Sequence, residues 1–462
     1  MTINLPFSTA VLNELLIGFF AAVIAIQVFY YLFFFLRLAI YKKPTKTVHV
    51  EHPISVVICA RDEAHNLANT LPGVLVQEYS TTHEVVLVND NSEDETKYLL
   101  DEFKKSFKNL NPVLLTQEAK MIAGKKFPLS MGIKSAKNET LLLTDADCLP
   151  ASEHWMRLMQ DGYDEGKEIV LGYGAYKKKP GLLNKLIRFE TFQTALQYFS
   201  YALAGLPYMG VGRNLSYKRE LFIKNKGFSS INQIPSGDDD LFINQVANRR
   251  NTAIVVDHDA HTLSEPKTTF KEWMSQKYRH YTTSKFYKKK HVFLLGLYSM
   301  SQFLVYPALI LALVFTKEYV IILSIWGFRA ILQGLILRGA MKKLNKTHIK
   351  SILKSRKLDS HKGTYGHALM LAGSKGKMGA ALIASKACLR SGVGLLTVNT
   401  PEDERQIIQI GLPEAMVEIR QKTLGKLQSY KSIGIGPGLG TDKKTATLVK
   451  SSFSAKIPIV LD

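Results

Sequence analysis

The stretch LLLTDAD, residues 141–147, decides the fold. Three leucines and a threonine run directly into Asp145 and Asp147, which is how a buried parallel strand delivers acidic side chains to the carboxyl edge of its sheet. A second run of this kind, VVLVND at residues 85–90, ends at Asp90. Because open α/β sheets bind ligands at that edge, the two runs predict an α/β domain with an acidic ligand site.

Apolar strands alternate with polar or amphipathic helices from Pro53 to about Tyr287. ISVVICA at residues 54–60 predicts the first strand, and EVVLVND at residues 84–90 predicts the second. A helix around residues 129–137 is expected to precede LLLTDAD. This alternation predicts βαβ units with right-handed crossovers in a nucleotide-binding sheet.

Two strongly apolar regions flank this domain. After an N-terminal segment over 1–13, the first region predicts a transmembrane helix over 14–40, which is long enough to span a bilayer. Its one basic residue, Arg37, lies near the end of the span, where it can reach the interface. The second region predicts a transmembrane hairpin with spans over 291–315 and 319–340. A buried helical pair in a soluble domain is the alternative to this hairpin.

Lysines cluster beside all three predicted spans. By the positive-inside rule these clusters are cytoplasmic, which predicts a multi-pass protein of the inner membrane with its amino terminus outside and both soluble domains in the cytoplasm. The net charge of +21 then reflects membrane edges and diphosphate substrates, and no nucleic-acid motif appears. Arg329 lies inside the third span and would be costly there unless it faces a protein partner or water. The clustered lysines are Lys42, Lys43, Lys46, Lys285, Lys288, Lys289, Lys290, Lys342, Lys343 and Lys346.

Three further motifs occur in a fixed order: ARDE at residues 60–63, SGDDDLF at 236–242 and QKYRH at 276–280. Together with the two strand-end motifs they resemble the membrane-bound inverting GT-A glycosyltransferases, the large family that includes cellulose, hyaluronan and ceramide-glucose synthases. The resemblance implies a GT-A domain over 50–287 with a mixed nucleotide-sugar-binding sheet. It also implies transfer of a sugar from a nucleotide donor, expected to be UDP-linked, to a lipid or glycan acceptor.

The resemblance implies a role for the acidic residues at the first strand ends. Asp145 and Asp147 match the DxD pair of the family, whose carboxylates hold Mg²⁺ or Mn²⁺ against the donor diphosphate. Asp90 matches the aspartate that contacts the base and the ribose, and Glu63 lies in the loop against the uridine. Alone, Glu63 or Asp90 would indicate no more than a helix cap or a turn.

The resemblance implies that SGDDDLF supplies the general base, the carboxylate that takes the proton from the attacking sugar hydroxyl. Three consecutive aspartates leave the identity of the base open. Reading Gly-Asp-Asp gives Asp239, whereas counting back from Leu241 gives Asp238. The remaining acids are expected to cap the following helix, whose dipole favours negative charge at its start.

QKYRH resembles the QxxRW motif of the membrane-embedded members of the family. Gln276 and Arg279 are therefore expected to bind the donor diphosphate. His280 stands on the acceptor side, where tryptophan is usual. Gly212 and Asn214, within GVGRN, match the acceptor-side loop of the family.

The stretch LLNKLIRFETFQTALQYFSYALAGLPY, residues 182–208, combines apolar and aromatic residues with a few charges. That mixture is typical of a helix in the membrane interface, which would place the acceptor at the bilayer. It is equally typical of a core helix. The sequence leaves both interpretations open.

After Lys346 the sequence becomes glycine-rich, with an α/β rhythm. Gly373 and Gly376 permit close approach of the backbone to a ligand, and the helix from about Ala380 can offer its amino-terminal dipole to an anion. GPGLG, at residues 436–440, repeats the device after a predicted strand. The pattern is consistent with a second nucleotide site.

These glycine motifs resemble the carboxy-terminal domain of NAD(P)H-hydrate dehydratase, a ribokinase-like repair lyase that uses ATP or ADP. The resemblance covers 349–462 and implies that Ala380 and Gly440 line the hydrate site. The sequence ends before the GTGD-type segment that carries the base in the family, so an incomplete and inactive domain is expected, from a fused or truncated reading frame. Cofactor repair by this domain is the alternative to the glycosyltransferase function.

Overall fold

The computed structural model describes residues 9–43, 51–116, 124–163, 166–344, 360–421, 424, 427–453 and 457–462, with the side chains of 9, 10 and 280 excepted. The chain divides into two compact units, Met1–Lys346 and Thr347–Asp462. Lys46, Lys346 and most of the predicted segment 1–13 lie outside the described residues. The division places the predicted spans and the predicted GT-A domain in one unit.

A seven-stranded mixed sheet forms the centre of the first unit, and a three-stranded sheet accompanies it. The larger sheet has the order β3-β2-β1-β4-β8-β6-β9, and the smaller one has the order β5-β10-β7. The strands are β1 (Ile54–Ala60), β2 (His83–Asp90), β3 (Leu110–Leu115), β4 (Thr140–Leu143), β5 (Cys148–Pro150), β6 (Ile169–Leu171), β7 (Gly174–Tyr176), β8 (Leu215–Lys218), β9 (Thr252–Ile254) and β10 (Thr262–Ser264).

The first four strands of the larger sheet run parallel, and β8 runs antiparallel to both of its neighbours. β4 is buried along its whole length, and β1 and β2 are nearly so, as strands covered on both faces require. The acidic motifs therefore begin where β1, β2 and β4 end, at one edge of the sheet. This arrangement confirms the predicted mixed α/β fold.

Helices cover both faces of the larger sheet. Side chains of α3, α4 and α6 pack on one face, whereas α5, α7 and α9 pack on the other. The helices of the first unit are α1 (Thr9–Tyr30), α2 (Leu36–Ile40), α3 (Ala64–Leu75), α4 (Thr96–Ser106), α5 (Lys126–Ser135), α6 (Trp155–Gln160), α7 (Leu182–Leu203), α8 (Arg219–Lys224), α9 (Asp240–Val246), α10 (Phe270–Tyr281), α11 (Lys289–Phe315) and α12 (Tyr319–Leu344).

Three helical segments, Val11–Ile40, Lys289–Phe315 and Tyr319–Leu344, are long and apolar enough to cross a membrane. The first consists of α1 and α2 joined by a π-helical turn over Tyr31–Phe35. Phe34 of that turn stacks on Tyr201 of α7, with ring centroids 4.2 Å apart. The carboxy-terminal end of the first apolar segment therefore packs into the core of the α/β domain.

Arg329 lies inside α12 and is buried. Its Nε donates to Oε1 of Gln27 on α1 at 2.6 Å. The Nε2 of Gln27 in turn donates to the carbonyl of Ser301 on α11 at 2.7 Å. The arginine therefore faces protein partners, as its cost in a bilayer requires, and the bonds join all three apolar segments.

Helix α7 combines the two environments that the sequence left open. At its amino-terminal end Leu182 is 71% exposed and Phe189 is 52% exposed, whereas Leu196 and Phe199 are fully buried in the core of the first unit. The carboxy-terminal half is therefore a core helix. Only the first half presents apolar side chains outward.

The second unit contains a five-stranded parallel sheet with the order β13-β12-β11-β14-β15. Each crossover leaves a helix or a turn on a face of the sheet, as the ribokinase-like prediction requires. The elements are β11 (His367–Leu371), α13 (Met378–Arg390), β12 (Leu395–Thr400), α14 (Arg405–Gly411), β13 (Met416–Ile419), β14 (Ser432–Ile435), α15 (Lys443–Ser452) and β15 (Ile459–Leu461).

Candidate functional site

The loops after β1 and β2 are tied together by reciprocal hydrogen bonds. The backbone N–H of Asp62 donates to Ser92 Oγ at 3.0 Å, and the N–H of Glu93 donates to Asp62 Oδ1 at 2.7 Å. Asp62 and Asn91 have φ values of 57° and 53°, a conformation that short polar side chains tolerate. The two loops therefore form one ledge at the carboxyl edge of the sheet.

Glu63 and Asp90, the predicted nucleoside contacts, lie on this ledge. Burial raises the pKa of Glu63, while the Asn66 amide, which donates to Glu63 Oε2 at 2.5 Å, opposes the shift. Asp90 ends β2 and accepts a long bond of 3.3 Å from Asn91 Nδ2. Both carboxylates are partly exposed and keep acceptor positions for a ligand.

The DxD pair follows β4 directly. Asp145, Asp147 and Cys148 each offer a ligand atom within 4.8 Å of the others. Burial, followed by the charge of Asp145, raises the pKa of Asp147. The Cys148 thiol donates to Asp147 Oδ1 at 3.4 Å. The two carboxylates are hard oxygen ligands on a short loop and fit a divalent cation such as Mg²⁺ or Mn²⁺.

Lys125 joins the DxD pair to the third acidic motif, and sequence reasoning missed it. Its Nζ lies 2.9 Å from Asp145 Oδ1 and 3.2 Å from Asp238 Oδ2. Burial alone would lower the pKa of Lys125, but Asp145, Asp238 and Asp239 outweigh it and hold the pKa well above its ordinary value. The signal available in the sequence was GKK at residues 124–126, where α5 begins.

Asp239 is held by a backbone hydrogen bond on each of its two carboxylate oxygens. Its Oδ2 accepts the backbone N–H of Gly212 at 2.7 Å, and its Oδ1 accepts the N–H of Asp240 at 2.7 Å. Burial, then the charges of Asp238 and Asp240, raise the pKa of Asp239 to about 7, against the opposing effects of Lys125 and the Gly212 bond. The structure thus places the predicted base beside the predicted acceptor-side glycine.

Asp240 has a different set of partners from the other two aspartates. Its Oδ2 accepts the Thr283 hydroxyl at 2.5 Å and the Tyr287 hydroxyl at 2.7 Å, while its Oδ1 accepts the N–H of Leu241 at 2.7 Å. Thr283 and Tyr287 lie in the segment that leads into α11. The third aspartate therefore anchors α9 to the start of the second apolar helix.

A narrow cavity of about 10 Å³, open to solvent, lies where these motifs meet. Apolar side chains from β1, α5, β4 and β8 form its floor, and the charged groups form its walls. The structure therefore brings together four predicted site residues from three separate motifs. The polar lining comprises Cys59, Lys125, Thr144, Asp145, Gly212, Asp238 and Asp239.

Asn214, predicted on the acceptor side, is fully buried. Its Nδ2 donates to the carbonyls of Tyr173 at 3.1 Å and Ala260 at 2.8 Å, and its Oδ1 accepts Trp155 Nε1 at 3.0 Å. Because these bonds use both amide hydrogens and face the interior, the Asn214 side chain positions the loop of Gly212 and does not reach an open site.

The QKYRH motif lies on α10. Gln276 Nε2 donates to the Tyr176 hydroxyl at 3.3 Å, and Lys277 pairs with Glu190 of α7. Arg279 is exposed, and within the described residues its side chain forms no ion pair with the acidic motifs. The side chain of His280 lies outside the described part of the chain. Of this motif, only Gln276 is therefore linked to the site region, and indirectly.

The glycine loops of the second unit lie against each other. Gly373 N–H donates to the carbonyl of Pro437 at 2.8 Å, and Ser374 Oγ donates to that of Gly438 at 2.7 Å. A Cβ added at Gly438 would lie 3.2 Å from Cβ of Ala380, and one at Gly440 would lie 3.9 Å from Ser374 Oγ. Ala380 and Gly440, predicted together, are therefore neighbours of one glycine-lined site.

Comparison with protein families divides the chain in the same way. Residues 55–224 match the model described as glycosyl transferase family 2, and residues 368–462 match that described as NAD(P)H-hydrate dehydratase. The first match includes the ledge, the DxD pair and the Gly212 loop. The second match includes both glycine loops.

Curated relatives match the second unit. The ADP-dependent (S)-NAD(P)H-hydrate dehydratase of Bacillus subtilis is 39% identical over 119 residues, which cover 25% of this chain and 43% of the relative. The enzyme of the same description from Staphylococcus aureus is 44% identical over 107 residues, 22% of this chain and 37% of the relative. The chain thus spans less than half of the length of these relatives.

Two solved structures resemble the first unit. Mannosyltransferase PcManGT from Pyrobaculum calidifontis, in complex with GDP-Man and Mn²⁺, is 18% identical, covers 73% of this chain and 100% of its own, and has a TM-score of 0.49. S. aureus TarS in complex with UDP-GlcNAc is 16% identical, with coverages of 47% and 60% and a TM-score of 0.36. The chain therefore carries a glycosyl transferase family 2 domain, matched over residues 55–224, fused to a segment that matches NAD(P)H-hydrate dehydratase.

Proposed function

We propose that the first unit is a metal-dependent inverting glycosyltransferase. It moves a sugar from a nucleotide sugar, UDP-linked, to a lipid or glycan acceptor at the cytoplasmic face of the membrane. The observation that carries this proposal is the carboxylate of Asp239, held by the Gly212 N–H at 2.7 Å with a pKa raised to about 7. A general base works best when its pKa lies near the operating pH.

The contacts favour Asp239 over Asp238 as the base. Asp238 lies 3.2 Å from the Lys125 ammonium, so its negative charge is engaged by a fixed cation. Asp239 accepts one backbone hydrogen bond on each oxygen, and each oxygen keeps a second acceptor position. A sugar hydroxyl that binds there can pass its proton to Asp239 as it attacks the anomeric carbon.

Asp145 and Asp147 are the residues that would hold Mg²⁺ or Mn²⁺. When bound, such an ion offsets the charge that develops on the leaving nucleoside diphosphate. Lys125, at 2.9 Å from Asp145, adds a fixed positive charge on the same side of the cavity. Glu63 and Asp90 lie on the ledge at the ends of β1 and β2, and we assign them to the nucleoside. The donor would then lie along the carboxyl edge of the larger sheet.

Membrane attachment follows from the three apolar helices and the lysines beside them. Lys42 and Lys43 follow the first span, and Lys342 and Lys343 lie in the last turn of α12. The positive-inside rule puts these ends, and with them the 50–287 domain, in the cytoplasm. We assign Gln276, Arg279 and His280 to the membrane side of the site, where an acceptor with an apolar part arrives.

The test is release of nucleoside diphosphate by the detergent-purified chain with Mn²⁺ or Mg²⁺, against a panel of UDP- and GDP-sugars. Release that requires the metal and one donor, and that Asp239→Asn abolishes, supports the proposal and names the donor. Asp101→Asn, on the exposed face of α4, is the matched control and keeps wild-type release. Release that survives in Asp239→Asn would overturn the assignment of the base.

A second candidate function belongs to the second unit. Identity of 39% over 119 residues to an ADP-dependent dehydratase and the paired glycine loops favour binding of ADP or ATP there. Arg420, which donates to the carbonyls of Ala372 at 2.7 Å and Gly373 at 2.8 Å, stiffens the first loop. Calorimetry with ADP and an NADHX dehydration assay test binding and turnover separately.

A further inference from the structure

Arg213 is a cation at the acidic edge to which the proposed reaction gives no role. Its guanidinium lies over the ring of Tyr176, with Cζ 4.3 Å from the ring centroid. Gln276 Nε2 donates to the hydroxyl of the same tyrosine at 3.3 Å. Stacking fixes the plane of the guanidinium, and the N–H donors lie in that plane, where the ring does not block them.

The backbone of Arg213 is fixed from both sides. Its carbonyl accepts the hydroxyls of Thr144 and Thr262, each at 2.9 Å. The preceding residue, Gly212, bonds Asp239, and the following residue, Asn214, is fully buried. The arginine therefore projects from a rigid turn that lies between the DxD loop and the proposed base.

The neighbouring strand leaves space for this side chain. A Cβ added at Gly174 of β7 would lie 2.9 Å from Cβ and 3.3 Å from Nε of Arg213. Contacts that short require one of the two residues to shift. Gly174 therefore keeps clear the channel along which Arg213 reaches Tyr176.

The donors of Arg213 are not consumed by the protein. Within the part of the chain that the structure describes, its side chain forms one hydrogen bond, a long one of 3.4 Å from Nη1 to Ser264 Oγ. Within the described residues Arg213 forms no ion pair. Burial alone would lower the pKa of Arg213, but Tyr176, Cys148, Asp145 and Asp147 more than offset it, so the group stays charged.

We infer that Arg213 is a binding residue for phosphate oxygens of a substrate, an inference that rests on the proposed glycosyltransferase function. A planar, oriented guanidinium with open donors matches the geometry of a phosphate group in two parallel hydrogen bonds. Two substrates supply this chemistry: the diphosphate of the nucleotide donor and a phosphate carried by a lipid acceptor. The position of Arg213 between the DxD loop and α10 faces both.

Binding without turnover distinguishes the two sources. Calorimetry on the full detergent-purified chain measures UDP and GDP, each with Mn²⁺, as probes of the donor diphosphate. Dodecyl phosphate, with dodecanol as the neutral control, probes a lipid phosphate. The variants are Arg213→Gln, Arg213→Lys, which keeps the charge without the planar fork, and Arg250→Gln, an exposed arginine on the turn before β9, as the matched control.

We expect Arg213→Gln to lower the affinity for one of the two probes roughly 10- to 100-fold. The loss of affinity should be smaller in Arg213→Lys, and Arg250→Gln should show none. Loss of nucleotide affinity assigns Arg213 to the donor, and loss of dodecyl phosphate affinity assigns it to the acceptor. Wild-type affinity for both probes in folded Arg213→Gln would overturn the inference. Calorimetry measures binding without sugar transfer. If the chain transferred no sugar but its affinity for a probe still depended on Arg213, the proposed function would fail while this inference held.

Discussion

The mixed sheet of the first unit and the parallel sheet of the second unit form their ligand edges from different kinds of residue. The edge of the first unit is charged, because Asp145 after β4 and the Asp238 and Asp239 pair before α9 surround Lys125. The edge of the second unit is lined by glycine, since Gly373 and the 436–440 loop bring backbone atoms together with few side chains. A substitution at the charged edge can remove activity while the fold stays stable. A substitution at the glycine edge is expected to lower stability and ligand binding together.

The largest effect that sharpens this contrast is expected from Asp239→Asn. An amide keeps the size of the side chain but cannot take a proton from the acceptor, so kcat for sugar transfer should fall about 10²- to 10⁴-fold. The melting temperature should stay near the wild-type value, because the loss of one of the two backbone hydrogen bonds to Asp239 is offset by the removal of a buried charge that Asp238 and Asp240 oppose. Steady-state kinetics and thermal unfolding measure the two quantities.

The outcome that would contradict the contrast is a loss of activity matched by a loss of stability. In that case Asp239 would hold the loop together instead of acting on the substrate. Asp101→Asn, on an exposed helix face, provides the reference for both measurements and should change neither.

The next largest effect is expected from Gly438→Ala in the second unit. Gly438 has a φ of 67°, and an added Cβ would lie 2.6 Å from the Lys377 carbonyl, so the loop must shift. We expect a loss of about 1–3 kcal/mol of stability in the second unit from backbone strain, with weaker ADP binding. Sugar transfer by the first unit should be unchanged.

Gly379→Ala is the control for that substitution. Gly379 lies in α13, its φ is not positive, and nothing lies within 4 Å of an added Cβ. Alanine favours a helix more than glycine does, so stability should stay equal or rise. Equal losses of stability in Gly438→Ala and Gly379→Ala would show that the positive φ of Gly438 is not the cause of its effect.

The sequence was sufficient for the strand-end acids because each follows a strongly apolar run. Asp90 and Asp145 lie at the predicted sheet edge, and the mixed fold was predicted correctly. Lys125 was not predictable, since its partners Asp145 and Asp238 are 20 and 113 positions away and only the tertiary fold joins them. Asn214 was misjudged for the converse reason, because nothing local distinguishes an asparagine that is saturated by internal bonds from one that meets a ligand.

A moderate effect is expected on the pH profile. Because Asp239 must be ionised to act as a base, kcat/KM should rise with pH and level off above its pKa of about 7. Asp238→Asn removes a negative charge that raises this pKa, so the midpoint should move to lower pH, by about one unit. Profiles of kcat/KM against pH, measured from about pH 5 to 9, give the midpoint. Such a base titrates within roughly this range.

A midpoint that stayed fixed in Asp238→Asn would show that the rate follows another group. A midpoint that moved to higher pH would have the wrong sign for the loss of a negative neighbour. Asp240 cannot replace Asp238 in this test, because its carboxylate is engaged by Thr283 and Tyr287.

The smallest effect is expected from Tyr287→Phe, which removes one of the two hydroxyl bonds to Asp240 Oδ2. Since the Thr283 hydroxyl still donates, the expected cost is about 0.5–1.5 kcal/mol of stability, with kcat and KM near wild type. Tyr98→Phe, at an exposed tyrosine of α4, is the control. If Tyr287→Phe lowered kcat without lowering stability, the Tyr287–Asp240 contact would act on the base. Anchoring and chemistry could then no longer be assigned to Asp240 and Asp239 separately.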